Sequence, residues 1–141
     1  MRLISFKLPS PLKPTWRLFF TAGVLIVGSD AAPFTNDGEL MTAVQNCLQV
    51  DATGVTCCAI ADCGPAGTDE MPNWDVSSVT DMSYMFRFAS AFNADISSWN
   101  VSSVTNMAEM FYEASAFNAD ISSWNVGSVT DMRSMFSRAS A

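Results

Sequence analysis

The sequence predicts an α/β repeat solenoid, each coil giving one short helix and one short strand, behind a disulfide-stapled helical cap. Three observations carry that expectation. A 25-residue unit recurs from Trp74 onward, the apolar residues inside each unit keep helical spacing, and all four cysteines fall in the 17-residue window from Cys47 to Cys63. Identity at a fixed period marks a repeat architecture. One such unit buries its apolar face on one side only, whereas stacked units bury it on both.

The chain divides into residues 1–31, 32–73 and 74–141. Residues 1–17 hold four of the seven basic residues, Arg2, Lys7, Lys13 and Arg17. The apolar run LFFTAGVLIV follows from Leu18 to Val27, then small residues with Ser29 and Ala31 at the −3 and −1 positions of a cleavage site. A basic leader, a short apolar run and a small-residue exit fit a secretory signal peptide. The run is short for a membrane span, which wants ~20 apolar residues. The long leader keeps an uncleaved signal anchor as the alternative, the one route by which a membrane would be a partner.

In the cap, Asn36 followed by Glu39 reads as a helix start. Leu40, Val44, Cys47 and Leu48 then share one helical face, and Asp51–Gly54 ends it. Behind an export signal, the even set Cys47, Cys57, Cys58 and Cys63 reads as disulfides. Pairing the adjacent Cys57 and Cys58 would close a strained ring. Two arrangements stay open, 47–57 with 58–63, or 47–58 with 57–63. Zinc is the competing reading, though two adjacent cysteines, one more after a four-residue gap and a distant fourth are poor ligand spacing.

The copies read WDVSSVTDMSYMFRFASAFNADISS, WNVSSVTNMAEMFYEASAFNADISS and WNVGSVTDMRSMFSRASA, the third stopping at Ala141. Met107, Met110, Phe111 and Ala114 stand at i, i+3, i+4 and i+7, one face of a helix. Asp81, Asn106 and Asp131 are cap or first-turn residues for such helices. Asp95–Trp99 is the expected strand, with Ile96 facing inward. Trp74, Trp99, Trp124, Met85, Met110, Met135, Phe86, Phe111 and Phe136 are read as the copied core. Asn93 and Asn118 are read as stacked amides that bond the backbone of neighbouring coils.

The pattern WNVSSVTNMAEMF…AFNADISSW resembles the BspA-like leucine-rich-repeat surface proteins, in the branch with W-[DN]-V-S-x-V-T-x-M-x-x-M-F and F-N-x-D-[IL] repeats. The resemblance spans residues 74–141. It implies a leucine-rich-repeat-like solenoid, export, and adhesion or protein binding, and no catalytic residues or cofactor. The small repeat number and the stop in mid-repeat depart from the family and suggest a fragment or a shortened chain.

Composition narrows the function. There is no His, so Ser-His-Asp and Cys-His chemistry are excluded. From Ala32 onward Arg87, Arg133 and Arg138 face 13 acids, a formal charge of 3 − 13 = −10. That repels nucleic acid and anionic lipid. The methionines keep core register rather than forming a soft-metal set, and burial is the expected fate of the tryptophans. Asp95 and Asp120, one coil apart, suggest a carboxylate pair or a calcium site, but copying alone produces the same ladder. Asn100-Val101-Ser102 is the single N-glycosylation sequon. The expected function is non-enzymatic binding of an extracellular protein or glycan by a secreted or cell-surface protein. A self-assembling wall or matrix protein is the alternative.

Overall fold

The computed structural model describes residues 19–21, 24–26 and 31–141. Two units are distinct, Met1–Asp30 and Ala31–Ala141. In the first, strands β1 (Phe19–Thr21) and β2 (Val24–Ile26) pair antiparallel, Phe20 opposite Leu25. Most of the expected signal peptide, including Ser29 at the −3 position, lies outside the described residues. Among those described, no helix is long and apolar enough to cross a membrane.

The second unit begins with helix α1, Asp37–Val50. Asn36 caps it, its Oδ1 accepting from the Glu39 N–H at 3.0 Å, while the Glu39 carboxylate reaches back to the Thr35 N–H and hydroxyl, both at 2.9 Å. Leu40, Val44 and Cys47 are buried and Leu48 is half-buried, so the helical stripe is as expected. Beyond the helix, the Asp51 carboxylate takes N–H bonds from Thr53, Val55 and Thr56, which shapes the loop leading to Cys57. Cys47 joins Cys57 and Cys58 joins Cys63, one of the two open arrangements. Single 3-10 turns at Gly64–Ala66 and Met71–Asn73 carry the chain to Trp74.

Residues 74–141 depart from the predicted fold class. They contain neither the helix nor the strand expected of each coil, so an α/β solenoid is not what forms. Where a helix was expected, Tyr84 and Phe88 in the first copy, Glu109 and Glu113 in the second, and Ser134 and Arg138 in the third have φ between 52° and 64°. A left-handed residue at every fourth position interrupts the α-helical hydrogen-bond series. Alternate amides instead cross to the next coil. Met82, Tyr84, Phe86 and Phe88 donate to the carbonyls of Asn106, Ala108, Met110 and Tyr112, at 2.8–3.0 Å. The amides between them close short turns, such as Met85 N–H to Met82 and Arg87 N–H to Tyr84. The second copy repeats the scheme onto the third.

The expected Asp95–Trp99 strand is also a turn, closed by the Trp99 N–H on the Ile96 carbonyl at 3.1 Å. Parallel pairing survives only as isolated bridges, Asp81 with Asn106 and Asn106 with Asp131. Those three residues do not cap helices. Each folds its side chain onto the amide two residues on, an Asx turn.

The core runs between the coils. Phe86, Phe111 and Phe136 stack with centroids 5.4 and 5.5 Å apart, beside the Phe92–Phe117 pair at 5.8 Å. Trp74, Trp99 and Trp124 are buried, and their indole N–H groups donate to the carbonyls of Asp69, Met71 and Ile96. The cap closes the first coil. Its Asp37 carboxylate accepts from the Thr80 and Asp81 amides at 2.8 and 3.0 Å, and Phe34 packs on Trp74. Gly54, at φ +76°, lies so close to Phe92 that a Cβ would sit 2.8 Å from the ring.

Candidate functional site

The sequence pointed to two places where chemistry was conceivable, and the structure gives both a structural role. All four sulfurs are in disulfides, so Cys57, Cys58 and Cys63 keep no thiolate for zinc although their sulfurs cluster within 4.8 Å. Asp95 and Asp120 each hold their own Asx turn, accepting from the Ser97 and Ser122 amides at 3.0 and 2.9 Å. The Ser97 hydroxyl and amide hold the Asp95 carboxyl below its usual range, and the Ser122 amide and hydroxyl do the same for Asp120 against some repulsion from Asp95. Both are therefore ionised at neutral pH and are poor proton donors.

The other singled-out residues serve the stack. Asn93 Oδ1 accepts from the Asn118 N–H at 2.8 Å, one coil to the next. Asn100 is exposed, and its Oδ1 holds the Ser102 amide and hydroxyl in another turn. Met85, Met110 and Met135 are buried with Phe86 and Phe111, whereas Phe136 is half-exposed.

A different surface gathers the groups suited to recognition. Arg87, Arg133 and Arg138, every basic residue after Arg17, project from the left-handed turn segments of the three coils. The Arg87 guanidinium lies 4.4 Å from the Phe88 ring centre, 5.2 Å from Tyr112 and 5.6 Å from Tyr84, within cation–π range. Its Nε pairs with Glu109 at 3.0 Å. Arg138 pairs with Glu113 at 2.6 Å and lies over the far ring, Tyr112. Arg133 pairs with Asp131 at 2.9 Å and is held fully protonated first by the Tyr84 hydroxyl and then by Asp131. Tyr84 is 43% exposed and Phe88 54%, with Val50, Val55 and Ile60 the only comparable apolar exposures before the third copy among the described residues. Beside Phe88 and Arg87 runs a cleft of about 300 Å³, walled by Leu48, Ala52, Ala89 and Ala91.

This face escaped a reading tuned to helical spacing. The signal that finds it is the comparison of copies. Copies one and two differ at six positions, of which Asp75/Asn100 and Asp81/Asn106 are near-isosteric. The other four are Ser83/Ala108, Tyr84/Glu109, Arg87/Tyr112 and Phe88/Glu113, and these same four columns change again in the third copy.

The family model for "Mycoplasma protein of unknown function, DUF285" matches residues 60–141, more than half of the chain. The chain belongs to the DUF285 family. The match takes in all three copies and begins inside the loop between Cys58 and Cys63, so the DUF285 region includes the end of the cap. No curated protein and no solved structure matches the chain.

Proposed function

We propose that this DUF285 chain is a non-enzymatic exported or cell-surface protein that holds an extracellular partner on its stacked coils. The observation that carries the reading is the arginine–aromatic face formed by Arg87, Tyr84, Phe88 and Tyr112 on an otherwise acidic surface. Exposed aromatic and Arg side chains are the composition of binding surfaces. Two disulfides favour an oxidising compartment. The resemblance of the copies to BspA-like surface repeats supports adhesion as the task. Enzymatic turnover has little support, since the carboxylates are engaged in turns and the chain has no His.

The test is saturable binding by the full chain, immobilised and exposed to arrays of purified extracellular proteins and of glycans. The reading expects retention of a partner with no chemical change to it. Self-assembly is the second reading, favoured by the way one coil bonds the next through its backbone, as the Met82, Tyr84, Phe86 and Phe88 amides do. A chain that binds nothing on either array but grows in mass with concentration in the ultracentrifuge would establish that reading instead.

A further inference from the structure

The four changing columns are not simply the exposed ones. Ser78, Ser103 and Ser128 are exposed and identical, as are Thr80, Thr105 and Thr130, and Ser98 and Ser123. Several of these repeat because they bond the neighbouring coil, as the Thr105, Ser123 and Ser128 hydroxyls do. The four columns carry no copied bond of this kind. Where they meet across coils they do so through pairs that differ from coil to coil, Arg87 with Glu109 and Arg138 with Glu113, which explains why they are able to vary. It does not explain what fills them. Two of the columns, 84/109/134 and 88/113/138, have a left-handed backbone, which favours Gly, Asn or Asp. They hold Tyr, Glu and Ser, and Phe, Glu and Arg. Six of six side chains are thus kept against local backbone preference. Strained positions of this kind cluster at ligand-contacting surfaces.

We infer that this face, built from columns 84/109/134, 87/112/137 and 88/113/138 with Ser83 and Arg133 beside them, is the docking surface for a polypeptide partner of mixed charge. The inference rests on the adhesive reading above and specifies its site and its occupant. A regular polysaccharide presents the same group at each step and would be met by the same side chain in each coil. Here every coil offers different chemistry, which matches an aperiodic partner. The charges alternate as well. Arg87, Arg133 and Arg138 are each set against Glu109, Asp131 or Glu113, so the face is locally neutral while residues 32–141 as a whole carry −10 (3 − 13). A purely acidic or purely basic ligand finds no complement there, whereas a polypeptide with both signs does. The cleft beside Phe88, walled by Leu48, Ala52, Ala89 and Ala91 with Arg87 at its edge, suits one apolar anchor side chain.

The test screens the full chain against a displayed random-peptide library and a glycan array, with Tyr84→Asn and Phe88→Asn as face variants and Ser123→Ala as control. Asn tolerates the left-handed backbone, so the face variants should melt no lower than the parent. The inference expects selected peptides to lose at least tenfold in affinity to either face variant and to bind the control unchanged. Peptides insensitive to both face variants would overturn the site while leaving adhesion standing. Glycan binding that depends on Tyr84 and Phe88, without peptide binding, would overturn the polypeptide occupant. No ligand of either class would overturn the inference together with the adhesive reading beneath it.

Discussion

The second and third copies have nearly the same inward sequence and very different surroundings. Phe111 is fully buried and Phe136 is 46% exposed, and Val101 at 1% has its counterpart in Val126 at 41%. The amides of Met107, Glu109, Phe111 and Glu113 all reach carbonyls of the third coil, and the matching amides of Met132, Ser134, Phe136 and Arg138 have no backbone acceptor among the described residues. Burial and hydrogen bonding are therefore properties of the contact between coils, not of the 25 residues themselves. An autonomous helix would bring its hydrogen bonds with it. This unit acquires them from its neighbour, so its stability is a nearest-neighbour quantity.

The largest effect is expected where a side chain serves both packing and the inter-coil bond. Trp99→Ala removes a buried indole and strands the Met71 carbonyl that it satisfies at 2.8 Å. A loss of about 3–5 kcal/mol in chemical denaturation is the expected outcome. Ser98→Ala should cost only about 1 kcal/mol, the worth of its hydroxyl bond to the Pro72 carbonyl. Equal midpoints for the two would break the inward assignment of the tryptophan column. The copies themselves give the next contrast. Phe111→Ala should cost about 3–5 kcal/mol and Phe136→Ala roughly 1 kcal/mol, because half of the second ring is already in water.

The cap was legible in the sequence because its signals are local. Asn36 with Glu39 announced α1, and the cysteine window restricted the pairing to two arrangements. The coils were misread for a specific reason. Met107, Met110, Phe111 and Ala114 point inward from a chain of alternating turns just as they would from a helix, so apolar spacing cannot tell the two apart. The telling signal was the Asx residue two before Ser, in Asp75–Ser77, Asp81–Ser83, Asp95–Ser97 and Asp120–Ser122, which marks turns. The left-handed positions were hidden because they hold Tyr, Phe, Glu, Ser and Arg instead of Gly or Asn.

Smaller effects sharpen the account of the turns. Ser134 has φ 52° and an exposed side chain, so Ser134→Asn should raise stability by about 0.5–1 kcal/mol. The same change at neighbouring Ser137, whose φ is not positive, should give no gain in thermal unfolding. The smallest effect is on pH dependence. Hydrogen bonds from Thr53 and Thr56 lower the Asp51 carboxyl, and Ser97 and Ser122 lower Asp95 and Asp120. Each folded pKa lies below its unfolded value, so the stabilisation is complete above pH ~4 and is lost as pH falls below it. Asp120→Asn preserves the turn, as Asn100 does in the column of Asp75, and removes the titration. Its melting temperature should therefore fall less between pH 5 and pH 3 (roughly the carboxylate range) than that of the parent.

Amide hydrogen exchange tests most directly whether the coils are held by their neighbours. The account predicts slow exchange at Glu109, Phe111 and Glu113, whose N–H groups cross to the third coil at 2.9 Å. It predicts fast exchange at Ser134, Phe136 and Arg138, with intermediate protection at Met135 and Ser137, which close short turns of their own. Equal protection along 107–114 and 132–139, rising smoothly through consecutive residues, is the signature of self-sufficient helices and would contradict it.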